Sequence, residues 1–215
     1  MPNTTAPHIC GPEYDSIVGM HGYHLSARVV DPSSNEHPFK IGFEIEKEDD
    51  AIRQSIRDNN CTLPGGWICE NDGSLGYGGY ELVTRAYNLS WWDQLVSDIG
   101  HADKAIGADG SSACGGHIHI SDSRFTPLQL ADRLRPLFPL LMTLYPNRMR
   151  STYVRCSKMK QVKEDSGNKY QPFYIKDPRT NGKTIELRIF SAVKDATQLM
   201  WRARLLKLVL EASYE

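Results

Sequence analysis

The chain has 215 residues, 40% hydrophobic and 24% charged, with 25 Lys and Arg against 26 Asp and Glu for a formal net charge of −1. These values suit one globular domain with a core of its own and exclude global disorder, and the balanced charge supplies no field for binding nucleic acid. Five cysteines, an odd number without framework spacing, argue for reduced thiols in a cytosol rather than for a disulfide scaffold.

Residues 1–38 carry Pro2, Pro7, Pro12, Pro32 and Pro38 with little periodicity, and are expected to form an irregular arm ahead of one domain over 39–215. The first residues lack a basic region followed by an apolar run, so no signal peptide is expected. The longest apolar run, at Leu140, Leu141 and Met142, is too short for a membrane span. A cytoplasmic protein with no membrane partner follows as the expectation. Cys10, His21 and His24 lie in the arm, but a zinc site needs four ligands with paired spacing and no fourth is evident nearby. Surface or packing roles are expected for them.

Residues 39–47 (FKIGFEIEK) read as a strand, and a short helix is expected over 50–57. An apolar run at 67–70 precedes turn chemistry at Asn71, Asp72, Gly73 and Ser74, and 79–85 (GYELVTR) reads as a strand. Across 88–106 Trp92, Leu95, Val96, Ile99 and Ala102 recur at helical spacing, with Ser90 and Asp93 as an expected capping box and Gly107 as the stop. Residues 115–121 (GGHIHIS) alternate as a strand. Thr126 and Pro127 open a helix that Pro136 and Pro139 should break or kink, with a second piece running to Tyr145. Residues 158–170 are expected to be a mobile loop, 183–190 (KTIELRIF) a strand, and 195–212 a terminal helix capped by Asp195. That helix should bury Leu199, Met200, Ala203, Leu206 and Leu210. The order is no strict βαβ alternation, and no glycine-rich phosphate loop joins a strand to a helix. The expected class is α+β with a mainly antiparallel sheet.

The strands share one unusual feature. Side chains alternate faces along a strand, so residues two apart point the same way. Glu44 and Glu46 flank Ile45, His117 and His119 flank Ile118, Glu186 and Arg188 flank Leu187, and Glu81 lies in a strand-like run. The alternating partners Phe43, Ile45, Ile118, Ile120, Ile185, Leu187 and Ile189 already furnish a core face. An ordinary amphipathic sheet would leave the polar set wet and idle. The alternative is a shared charged face, and there repulsion matters: one unpaired buried carboxylate costs several kcal/mol. Divalent cations remove that penalty. Same-face neighbours lie roughly 7 Å apart, so Glu44 and Glu46 could each reach one of two ions about 3.5–4 Å apart. Carboxylates with an imidazole suit Mg2+ or Mn2+. Arg188 adds a fixed cation for phosphate oxygens, and together these are the parts of phosphoryl transfer. A basic stretch from Arg124, Arg133 and Arg135 through Arg148, Arg150 and Arg155 to Lys158, Lys160, Lys163 and Lys169 is either solvated surface or a wall for a polyanion such as ATP.

The pieces GFEIE at 42–46, NDGSL at 71–75, GYELVT at 79–84, GGHIHIS at 115–121 and IELRIF at 185–190 together resemble the amidoligase family, within the superfamily of glutamine synthetase and glutamate–cysteine ligase. The resemblance runs from residue 39 to about 210; each piece is weak alone, and their joint order is specific. It implies a glutamine synthetase-like catalytic domain whose antiparallel sheet offers a concave active-site face, with helices on the other face. It implies an ATP-dependent carboxylate–amine ligase using Mg2+ or Mn2+, joining a small-molecule or peptide carboxylate to an amine through an acyl phosphate. Metal ligands would fall on Glu44, Glu46, Glu81, His117 and Glu186, ATP contacts on His117, His119 and Arg188, and catalytic roles on Glu44, Glu46 and Arg188. Asp72 matches the family's DGS turn, as a substrate-site residue or as turn chemistry alone. Arg148 and Arg150 are candidates for the substrate carboxylate. Rival readings are a guanidino-kinase-like phosphotransferase, a metal-dependent phosphodiesterase, a thiol–imidazole hydrolase using Cys114 or Cys156, and a catalytically silent nucleotide-binding module.

Overall fold

Eight strands form one mostly antiparallel sheet: β1 (Ile17–Met20), β2 (Phe39–Glu48), β3 (Ile68–Asn71), β4 (Gly79–Val83), β5 (Tyr87–Asn88), β6 (Gly116–Asp122), β7 (Phe173–Ile175) and β8 (Ile185–Leu187). Their order is β1-β3-β4-β2-β6-β8-β7, with β5 also paired to β2. The β1–β3 pairing is parallel and the others are antiparallel. The computed structural model describes residues 17–20, 38–72, 74–76, 78–150, 171–175 and 184–213. The expected loop at 158–170, the arm's Cys10, His21 and His24, the side chain of Arg150, and Arg155, Cys156, Lys158, Lys160, Lys163 and Lys169 lie outside the described residues.

Among the described residues the helices are α1 (Asp50–Arg57), α2 (Trp92–His101), α3 (Asp103–Ile106), α4 (Pro127–Leu134), α5 (Phe138–Thr143) and α6 (Ala196–Ala212). Phe43, Ile45, Leu82, Ile118, Ile185 and Leu187 of the sheet share one buried cluster with Leu95 and Ile99 of α2, Leu130 and Leu134 of α4, and Leu199 and Leu206 of α6. The period-two alternation therefore sends the apolar half of β2, β6 and β8 to the helices and leaves the charged half on the opposite face. No described helix is long and apolar enough to cross a membrane.

Local chemistry sets the helix ends. Asp49 caps α1 by accepting from the Ile52 N–H, Thr126 and Gln129 form a reciprocal capping box at α4, and Asp195 caps α6 by accepting from the Gln198 N–H. Pro136 falls in a 3-10 turn, Arg135–Leu137, before α5.

Three expectations change. Part of the arm read as irregular, Ile17–Met20, is a strand on the sheet's edge. The helix over 88–106 is three pieces: a 3-10 turn at Leu89–Trp91, then α2 and α3, parted at Ala102. Its cap is Asn88, which accepts from the Ser90 N–H, not the Ser90–Asp93 box. The strand over 183–190 narrows to Ile185–Leu187, because beyond Leu187 the backbone turns to other partners, with the Arg188 N–H donating to Pro172 O and Phe190 O accepting from the Gly116 N–H. In the basic stretch, Arg124 pairs with Asp122, Arg135 with Asp132, and Arg133 donates to Ser213 O.

Candidate metal centre

The strand register builds the charged face row by row. Glu44 of β2 lies opposite His117 of β6, and Glu46 opposite Glu81 of β4. Glu81 in turn lies opposite Glu70 of β3, and His119 opposite Glu186 of β8. Directly opposed strand residues sit close enough to interact, and like charges there repel. Glu44, Glu46, Glu70, Glu81, His117 and Glu186 are all buried.

The side chains converge. His117 Nδ1 lies 3.5 Å from Glu44 Oε2 and 3.4 Å from Glu186 Oε1, and His117 Nε2 lies 3.6 Å from Glu46 Oε1. His119 Nε2 lies 2.8 Å from Glu44 Oε1, and Arg188 Nη1 donates to Glu186 Oε1. Three donor groups each gather their ligand atoms within 4.8 Å: Glu44 with His119 and Glu186, Glu44 with Glu81 and His117, and Glu46 with Asp72 and Glu81. Glu44 and Glu81 each belong to two of them, so the groups form one connected set across β2, β4, β6 and β8.

Electrostatics follow from this crowding. Burial alone would raise the Glu44 carboxyl, but His119 and His117 beside it hold it well below the usual carboxylate range. Burial likewise pushes the His117 imidazole down. Glu44, Glu186 and Glu46 outweigh both burial and Arg188, so its pKa ends above the ordinary value.

The donor set fits a hard divalent cation. Carboxylates dominate, imidazole is the minority donor, and no cysteine points into the groups. Buried His117 Nε2 lies 3.6 Å from Glu46 Oε1 without a hydrogen bond to a described group, and His119 Nε2 faces Glu44 Oε1 at 2.8 Å. Ring nitrogens set among carboxylate oxygens in this way could serve as ligands to a cation.

Most residues singled out from sequence meet here. Asp72 joins a donor group and also accepts from the Ser74 N–H at 2.8 Å, so turn and site roles coincide. Arg148 is buried against the centre through Gly115: a Cβ at Gly115 would lie 2.7 Å from His117 Nε2, 2.9 Å from Arg148 Nη2 and 3.2 Å from Glu46 Oε2. Cys114 is buried with its thiol pushed up chiefly by burial, the setting of an inert cysteine. Glu70 was missed. It lies opposite Glu81 in the sheet, but the flanking Ile68 and Cys69 make the segment read as core.

Gly115 is needed for its missing side chain. A Gly115→Ala variant is expected to fold, but its methyl must displace His117 or Arg148. Mn2+ affinity should fall by about tenfold or more, read as free Mn2+ by electron paramagnetic resonance. Unchanged affinity would detach Gly115 from the centre.

No family model, curated protein or solved structure matches the chain.

Proposed function

We propose that this chain is an ATP-dependent carboxylate–amine ligase with a glutamine synthetase-like catalytic domain. One observation carries the proposal: acidic and imidazole groups from β2, β4, β6 and β8 meet in three linked donor groups on one buried sheet face, with a guanidinium alongside. Glu44, Glu46, Glu81, His117 and Glu186 would hold Mg2+ or Mn2+, which would neutralise the triphosphate and the charge that develops on transfer.

The chain's own groups supply orientation. Arg188, aligned by Glu186, presents its remaining N–H donors to γ-phosphate oxygens. His119, more open than His117, borders the same space and suits contact with the nucleotide. Arg148, buried beside Gly115, would pair with the carboxylate of the acid substrate. That carboxylate oxygen attacks the γ-phosphorus and ADP leaves. The amine nitrogen then attacks the carbonyl carbon of the acyl phosphate, phosphate leaves, and an amide remains. Burial of the centre keeps water from the acyl phosphate before the amine arrives.

The test is ATP turnover with Mg2+ across a panel of small and peptide acids and amines. ADP release that requires both an acid and an amine, with amide detected by mass spectrometry, is the expected result. ADP release with phosphorylated guanidine as product would assign phosphotransfer instead. Absence of ATP turnover across the panel would overturn the ligase assignment.

A further inference from the structure

We propose that Lys47 and Arg202 are positioning residues for the centre: two buried cations on the far side of the sheet that clamp residues 191–193 behind Gly115 and Gly116, and thereby fix where Glu46 and His117 meet. This rests on the cation-binding reading above.

Alternation along β2 sends Lys47 to the face opposite Glu46, into the core. Its Nζ donates to Ala108 O at 2.7 Å and to Val193 O at 2.6 Å. Arg202 of α6 donates to Ser191 O at 2.7 Å, to Ala192 O at 3.4 Å and to Gln198 Oε1 at 3.2 Å, and its guanidinium lies 5.4 Å from the Phe190 ring centre. Three successive carbonyls, at 191, 192 and 193, are thus met by two buried cations. Neither cation makes an ion pair with a described carboxylate. Burying such charges is costly, and apolar side chains of similar volume would fill the core with less penalty. What the charges supply is a fixed path for a segment that has left the strand ladder.

That path leads to the centre. The Ala192 N–H donates to Cys114 O, the Gly116 N–H donates to Phe190 O, and Gly115 bridges Ser191. Gly115 O accepts from the Glu46 N–H at 3.1 Å, and the Gly115 N–H donates to Glu46 Oε2. Gly116 is the contact on the core side: a Cβ there would lie 2.8 Å from Arg202 Nη1 and 2.7 Å from Ser191 O. At this step a guanidinium approaches each of two successive glycines, Arg148 at Gly115 and Arg202 at Gly116.

Lys47→Met and Arg202→Met test the clamp, with Mn2+ affinity read by electron paramagnetic resonance and stability by urea unfolding. Each is expected to weaken Mn2+ binding by about 10–100-fold, the scale for groups that orient metal ligands. Tyr87→Phe is the control. It removes a buried hydrogen bond to Asp98 (2.5 Å) that lies outside the centre, and should lower stability while keeping wild-type affinity. Arg202→Lys retains a cation but loses the fork, so it folds more readily and should show a smaller drop. Wild-type affinity in folded Arg202→Lys and in either Met variant would overturn the clamp and leave the metal centre standing. A wild-type chain that binds no Mn2+ would overturn both.

Discussion

A Glu44→Gln variant is expected to lose ATP turnover by more than about a hundredfold while remaining folded, since even residues that only orient metal ligands are worth about 10–100-fold. Glu44 is the most connected group of the centre. It belongs to two donor groups, lies opposite His117 across the strand pair, and contacts both imidazoles. Glutamine keeps the volume and one oxygen, so packing against β4 and β6 survives. The charge does not survive, and with it goes the attraction that raises His117. Turnover, Mn2+ affinity and urea unfolding measured together separate the effects. Near-normal turnover would remove Glu44 from the centre and detach the group with His119 and Glu186 from the other two, which Glu81 still links.

The second large effect concerns pH. His117 binds a proton more tightly in the folded chain than when free, so its contribution to stability is complete below its ordinary value of 6.5 and is lost as pH rises through the higher folded value. Glu44 runs the other way: its contribution is present above its ordinary 4.5 and is lost as pH falls through the lower folded value. A cation must displace the His117 proton to bind. Mn2+ affinity should therefore climb by up to about tenfold per pH unit while His117 remains protonated, then level off. Thermal melting with and without Mn2+, from about pH 5.5 to 8.5 around the ordinary imidazole range, measures this as a stabilisation that widens with pH. His117→Gln should flatten the slope. A Mn2+-induced shift that is the same at every pH would show that His117 holds no cation.

The polar face was legible because one rule, same-face placement at every second strand residue, needs no tertiary knowledge. It selects Glu44 with Glu46, His117 with His119 and Glu186 with Arg188, and all six lie around the centre. Other features were not legible, because they depend on what lies across the sheet rather than along the chain. Gly115 and Gly116 look like loosening at a strand start, and their purpose emerges only once two guanidinium groups approach them. Lys47 looks like one more surface charge between Glu46 and Glu48, and its burial follows from carbonyls that arrive from Ala108 and Val193. The edge strand β1 escaped because the prolines elsewhere in the arm and its sparse periodicity masked a short parallel pairing. Helix caps at Thr126 and Asp195 are local chemistry and were read directly; at Asn88 the choice among neighbouring polar residues depended on where the preceding strand ended.

The ordering of the sheet has a kinetic consequence. β2 sits between β4 and β6, and β8 joins only beyond β6, so the proposed cation ligands come from stretches far apart in the chain. Contacts of such long range form after their loops have closed, which places completion of the cation cage late in folding. An ion gripped only by the finished cage would not hasten its assembly and would act instead as a latch, lengthening the lifetime of the native state by slowing escape from it.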